Sequence, residues 1–138
     1  MRNLAELAAR LAQVKTIAVL GAKDVPGRPV DRVGRYLINS GFTIFPVHPV
    51  RRDVWGLPTY TRLQDIPEPI DLVDVFRAPQ FCADHARECL ELAPLPGIFW
   101  MQTGITNPEA RELMQAAGVH VVEDLCLMIE HQRLADHG

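Results

Sequence analysis

Gly21, Lys23, Gly27, Arg28, Pro29 and Gly34 fall within TIAVLGAKDVPGRPVDRVGRYL, residues 16–37, between an apolar run and a helical pattern. A glycine turn at the exit of a strand opens onto a helix N-terminus, whose free N–H groups and dipole favour an anion. Lys23 and Arg28 would supplement that field. The chemistry this pattern suits is phosphate binding. The same glycines also serve bland ends, Gly21 as a tight turn and Gly34 as a point of close helix–strand packing. The spacing is not the dinucleotide fingerprint GxGxxG, because five residues separate Gly21 from Gly27 and six separate Gly27 from Gly34. It is not a P-loop either, since Arg28 and Pro29 follow Gly27 where Lys and Ser or Thr would stand.

Residues at the end of the second apolar run narrow the choice of phosphate. An NAD site places an Asp or Glu on the ribose hydroxyls roughly 20 residues beyond the first glycine. Here the chain reads FPVHPVRR, with no carboxylate and with Arg51 and Arg52 instead. An arginine pair suits an additional ribose phosphate, as in NADP or coenzyme A, or else is a solvated pair on an exposed loop.

Other reactive side chains point less far. Cys82, His85 and Cys89 have the spacing C-x2-H-x3-C, but on one straight helix the two sulfurs sit about two turns apart, and both would need to lie ~2.3 Å from a shared zinc. No metal site is expected. Cys126 precedes Glu130 and His131 without a spacing that brings the imidazole to the thiol, so a structural cysteine is the simpler reading. Asp71, Asp74, Glu123 and Asp124 flank apolar runs, where strand-end and capping roles are commoner than general-base catalysis. No GxSxG elbow is present, and no catalytic residue is expected.

These residues must be positioned by alternating strands and helices. Leu4, Leu7, Ala8 and Leu11 have helical spacing. KTIAVLG reads as a strand buried on both faces, followed by a helix from about residue 30 to residue 40 with Gly41 past its end. FTIFPVHP, IDLVDVF, PGIFWMQ and GVHVVED read as four further strands. PQFCADHARECLEL and NPEARELMQAAG read as helices between them, and LCLMIEHQRLADHG as a short terminal helix that frays. Residues 50–69, VRRDVWGLPTYTRLQDIPEP, read mostly as loop with one short helical turn. Right-handed crossovers then imply an α/β, Rossmann-like, doubly wound sheet of about five parallel strands in three layers, residues 1–138 forming one domain. Ligands of such sheets bind beyond the carboxyl ends of the strands.

Composition sets the outer limits. The 138 residues are 48% hydrophobic and 22% charged with net charge −3, which offers a polyanion no general attraction, so nucleic acid is not an expected partner. No apolar run approaches the ~18 residues of a membrane span, and no membrane association is expected. Three cysteines form no even disulfide set and fit a reducing cytoplasm.

Taken in order, VLGAKDVPGRPVDRVGRYL, PVHP, DLVDVFRAP, WMQTGITNPEA and VVEDLCLMIEH resemble the small CoA-binding proteins related to the N-terminal domain of the succinyl-CoA synthetase alpha subunit. The resemblance spans nearly the whole chain and implies a domain carrying coenzyme A across the C-terminal edge of its sheet. It implies that the residues of GAKD, Gly21, Ala22, Lys23 and Asp24, line the phosphate side together with Arg28 and Pro29, and that Pro46, Val47, His48 and Pro49 border the nucleotide. It places the third-strand motif on Val75, Phe76, Arg77 and Pro79, with Phe76 as an apolar wall. Met101 and Gln102 would open the turn that receives the thiol or acyl end. The residue meeting the 3′-phosphate would be Arg51, Arg52 or Arg77. Leu125 stands where the family often has a basic residue. The chain ends where the alpha subunit continues into the domain with its phosphorylated histidine, so the ligase reaction is not assigned to it alone. The expectation is noncovalent binding of coenzyme A or an acyl-CoA without catalysis. The alternatives are an NADP-binding redox domain and a subunit of an acyl-CoA ligase with a partner chain. A homo-oligomer is compatible with either reading.

Overall fold

The computed structural model describes residues 4–137. Its elements, in chain order, are α1 (Leu4–Leu11), β1 (Thr16–Leu20), α2 (Pro29–Asn39), β2 (Thr43–Val47), β3 (Leu72–Val75), α3 (Cys82–Leu90), β4 (Ile98–Met101), α4 (Pro108–Ala116), β5 (His120–Val122) and α5 (Leu127–His137). The strands form one parallel sheet in the order β2-β1-β3-β4-β5. The fold is α/β and Rossmann-like, as the alternation of the sequence predicts.

Because successive strand side chains point to opposite faces, each apolar strand serves two cores. Ala18, Leu20, Val73, Val75, Phe99 and Met101 meet Cys82, Ala86 and Cys89 of α3 and Ala110 and Met114 of α4. Ile17, Val19, Leu72, Ile98 and Trp100 meet Leu7 and Leu11 of α1, Val30, Val33 and Leu37 of α2, and Leu127 of α5. The helices thereby cover both faces of the sheet.

Local chemistry sets the helix ends. Asn107 caps α4, its side chain accepting from the Ala110 N–H at 2.8 Å, with Pro108 in the first turn. α2 also has proline in its first turn, but its N-cap is Arg28, whose side chain makes no capping bond. The start of α2 therefore keeps donors that a cap would otherwise engage.

The segment between β2 and β3 is more ordered than the sequence suggests. It holds two single 3-10 turns, Val54–Gly56 and Leu63–Asp65, and a parallel bridge from Val47 to Tyr60. Val54, Leu63 and Ile66 are buried. Single 3-10 turns carry no apolar periodicity, so proline and glycine dominate the sequence signal there. No helix among the described residues is long and apolar enough to cross a membrane.

Candidate functional site

The strand order reverses at β1, whose neighbours are β2 on one side and β3 on the other. The connections leaving their carboxyl ends diverge and open a crevice. Gly21 forms its floor. It has φ +80° and its N–H donates to the Val47 carbonyl at 3.0 Å. A methyl group at Gly21 would collide with the Phe76 carbonyl and lie 3.2 Å from Arg77 Cδ, so only glycine lets the first loop approach the end of β3. A cavity of about 300 Å³ opens beside this crossing, lined by Gly21, Lys23, Arg28, Pro29, Phe76 and Arg77, with Val30 and Ile105 at its apolar side.

The electrostatics are one-sided. Among the described residues Lys23, Arg28 and Arg77 form no ion pair. Arg77 Nε is buried without a hydrogen-bond partner, and the guanidinium carbon lies 4.4 Å from the centroid of the Phe81 ring. A buried, unpaired cationic edge is costly unless an anion meets it, and here three cations face one cavity. The helix N-terminus adds charge of the same sign.

His48 orders the chain after β2. Its Nδ1 accepts from the Val50 N–H at 3.1 Å and the Arg51 N–H at 3.0 Å, which assigns the ring proton to Nε2. Partial burial, followed by the charges of Arg51, Lys23 and Arg77, holds its pKa below the usual histidine value. Arg51 Nη1 lies 3.7 Å from Asp24 Oδ1, and Arg52 is exposed beside it.

The seventeen positions named from the sequence divide by location. Gly21, Lys23, Arg28, Pro29, Phe76 and Arg77 come together in the cavity, whereas His48, Pro49, Arg51 and Arg52 follow β2 and are not among the residues that line it. Ala22, Val47, Val75 and Met101 have their side chains in the two cores, and Pro46 is buried in β2 opposite Val19, so these five offer a ligand main chain only. Pro79 is exposed in a 3-10 turn, Pro79–Phe81, and its carbonyl accepts from Asn107 Nδ2. Gln102 is buried, with Nε2 donating to Asp74 Oδ1 at 2.5 Å. Sequence reasoning missed Phe81 and Trp55. Phe81 lies four residues beyond Arg77, a spacing that became meaningful only once Pro79–Phe81 turned back under the guanidinium.

Gly34 has a different duty from the helix–strand packing expected of it. A methyl group there would overlap the Trp55 indole, so the glycine makes room for a ring from the segment after β2. Cys82 and Cys89 are buried in the α3 core, and burial raises the Cys82 thiol to about 11 and pushes Cys89 higher still. His85 between them is bonded to Glu88 at 2.7 Å. Cys126 is half-buried, while His131 bonds Tyr36 at 2.6 Å. Asp71 accepts from the N–H groups of Lys15 and Thr16, Asp124 from that of Gly104, and Glu123 pairs with Arg111. Asp74 differs: fully buried, it has its carboxyl pushed up to about 7 by desolvation, against the lowering effect of Gln102. A larger hollow of about 650 Å³ runs along β5, but it lies away from the strand-order reversal and its Arg111 is already paired.

Comparison with known proteins gives the chain a family. Residues 15–132 match the model of a family described as CoA binding domain. The chain is 36% identical over 128 residues to the uncharacterized protein YneT of Bacillus subtilis, covering 92% of this chain and 93% of that one. It is 28% identical over 134 residues to acetate–CoA ligase (ADP-forming) I of Archaeoglobus fulgidus, covering 91% of this chain but 20% of the ligase. A solved Thermus thermophilus protein, cell-free ID.343, superposes with TM-score 0.89 at 45% identity, covering 96% of this chain and 99% of that one. A glycine turn that only glycine can make, set against an unpaired arginine at the strand-order reversal, thus lies in a chain that belongs to the CoA-binding domain family.

Proposed function

We propose that residues 1–138 act as one domain that binds coenzyme A or an acyl-CoA noncovalently, in a cytoplasmic setting and without a catalytic step of its own. The observation that carries this reading is the convergence of Lys23, Arg28 and Arg77, unpaired among the described residues, on one cavity at the start of α2. The residues fit the group. The uncapped helix start with Lys23, Arg28 and Arg77 would hold the pyrophosphate, because Arg77 packs against the Gly21 turn. Arg51 and Arg52, carried by the segment after β2, would meet the 3′-phosphate. Phe76, Pro29 and Ile105 supply an apolar wall for the remainder of the molecule.

A second reading, action beside a separate enzyme chain, draws support from the Archaeoglobus fulgidus ligase, of which the matching part is 20%. Titration calorimetry of the purified protein against coenzyme A, 3′-dephospho-CoA, NADP and ATP tests the main reading. Binding of coenzyme A, weaker binding of dephospho-CoA and none of NADP is the expected result. Preference for NADP, or no binding of any of the four, would overturn it. Co-purification of a larger chain would favour the second reading.

A further inference from the structure

The segment that carries Arg51 and Arg52 is held at both ends. At one end His48 Nδ1 accepts the N–H groups of Val50 and Arg51. At the other, Val54 is fully buried and its N–H donates to Thr59 Oγ1 at 2.9 Å. Trp55 is next in the chain, with Nε1 donating to Asp31 Oδ1 at 2.9 Å. Asp31, on α2, is itself buried and accepts from Arg35 Nε at 2.9 Å, so the indole locks onto a carboxylate that is already fixed. The ring lies on Gly34, one turn along the same helix, where any Cβ would overlap it.

Two locally unfavourable choices meet at this one contact. A glycine inside a helix weakens the helix, and Asp53 and Trp55 both have left-handed backbone, φ +53° and φ +55°. Non-glycine residues keep that conformation only where their surroundings over-determine it, and such sites cluster at ligand clamps. Between the two anchors lie Arg51, whose guanidinium lies 3.7 Å from Asp24, and Arg52, which is exposed and forms no ion pair among the described residues.

We propose that Trp55, seated on Gly34 and bonded to Asp31, is a positioning residue that holds the Arg51–Arg52 segment as a preformed arm for a phosphomonoester of the bound ligand. The inference rests on the coenzyme A reading and adds to it which residues set the discrimination for the 3′-phosphate. An arm fixed in advance loses less side-chain and backbone freedom on binding, so its fixation shows in affinity for the group it meets and not for the rest of the ligand. Arg51 faces the single carboxylate of Asp24 at 3.7 Å, which a dianionic phosphate would replace as its partner.

The test compares affinities for coenzyme A and 3′-dephospho-CoA in the native protein and in Gly34→Ala, Trp55→Phe and Arg51→Ala/Arg52→Ala. The amide exchange of Val50 and Arg51 is followed in each. The native protein is expected to prefer coenzyme A by about tenfold, the scale of one charge-assisted hydrogen bond. The double arginine variant should lose that preference with the exchange of both amides unchanged. Gly34→Ala displaces the ring and should lose most of the preference, with faster exchange at both amides and dephospho-CoA affinity within about twofold of native. Trp55→Phe keeps a ring and removes the N–H, and should fall between the two and cover the case in which Gly34→Ala does not fold. An unchanged preference in Gly34→Ala or Trp55→Phe despite faster exchange overturns the proposal, as do equal losses for both ligands. If the native protein binds neither ligand, the coenzyme A reading itself fails, an outcome distinct from one in which both bind and the preference survives.

Discussion

The Arg77 guanidinium rests on the Phe81 ring at 4.4 Å from its centroid, while its Nε is buried beside the Gly21 turn with no hydrogen-bond partner. The ring holds the guanidinium of a residue that lines the cavity. Arg77→Ala is expected to weaken coenzyme A and dephospho-CoA alike, by about tenfold to a hundredfold. Phe81→Ala should cost about threefold, the scale of an exposed cation–π contact, and Phe81→Tyr almost nothing. Calorimetry decides the assignment: an Arg77→Ala protein that loses coenzyme A but keeps dephospho-CoA would move Arg77 to the 3′-phosphate.

Gly21→Ala combines a left-handed backbone with a collision at the Phe76 carbonyl. A loss on the order of 3 kcal/mol in stability is expected, together with loss of ligand affinity. Urea denaturation of the variant measures the first quantity. Native stability in Gly21→Ala would mean that the turn re-forms without its close crossing of the β3 exit.

Asp74 gives a pH dependence of definite sign. Its carboxyl titrates at about 7 in the folded protein against an ordinary value of 3.8, so the folded state holds a proton that the unfolded state releases. Stability therefore falls as pH rises from about 4 towards about 7 and then levels off, by an amount on the order of a few kcal/mol. Asp74→Asn, which can still bond Gln102, should remove this part of the slope and be the more stable protein at pH 8. Thermal melts of both proteins across that range check it, and parallel curves would show that Asp74 is ionised in the fold.

His48 titrates in the opposite sense. Its folded pKa lies below the ordinary 6.5, so its contribution is present above that value and lost as pH falls through the lower, folded one. Protonation of Nδ1 removes the acceptor for the Val50 and Arg51 N–H groups. Nitrogen NMR should find the proton on Nε2 at neutral pH, and acidification should quicken exchange of those two amides together. A proton found on Nδ1 at neutral pH would contradict an Nδ1 that accepts both N–H groups.

The thiols should react in a fixed order. Cys82 and Cys89 are buried with raised pKa values, whereas Cys126 is half-buried at the start of α5. Thiolate is the reactive form, so a thiol reagent on the folded protein should label Cys126 well ahead of the others. Peptide mass analysis after brief labelling reads this, and early modification of Cys82 would show that the α3 core opens.

Much of this architecture was legible because apolar strands and capped helices write their periods into neighbouring residues. The five strands, the helix starting at Pro29 and the loop bearing Lys23 and Arg28 all lie where local pattern puts them. Pattern was silent about contacts between segments distant in sequence. Trp55 on Gly34 and Arg77 against the Gly21 turn join residues separated by long stretches of chain, and nothing near either partner announces the other. Motif resemblance likewise named Val75 and Met101, yet their side chains face the core, because a motif marks a stretch of chain and strand alternation then decides which residues in it point outward. The segment after β2 is mostly loop, as read, but holds two 3-10 turns where one was expected, and the hydrogen bonds accepted by His48, Thr59 and Asp31 that order it leave no apolar rhythm to read.

The reversal of strand order at β1 has a mechanical side. β2 extends the sheet in one direction and β3, β4 and β5 extend it in the other, so β1 is the seam along which two flanks are joined. A ligand lying across Gly21 and Arg77 and reaching the Arg51–Arg52 segment after β2 would grip both flanks at once. By reciprocity, the free energy released on its binding reappears as resistance to parting along that seam, and saturation with ligand raises the melting temperature of the whole sheet rather than quieting the loops alone.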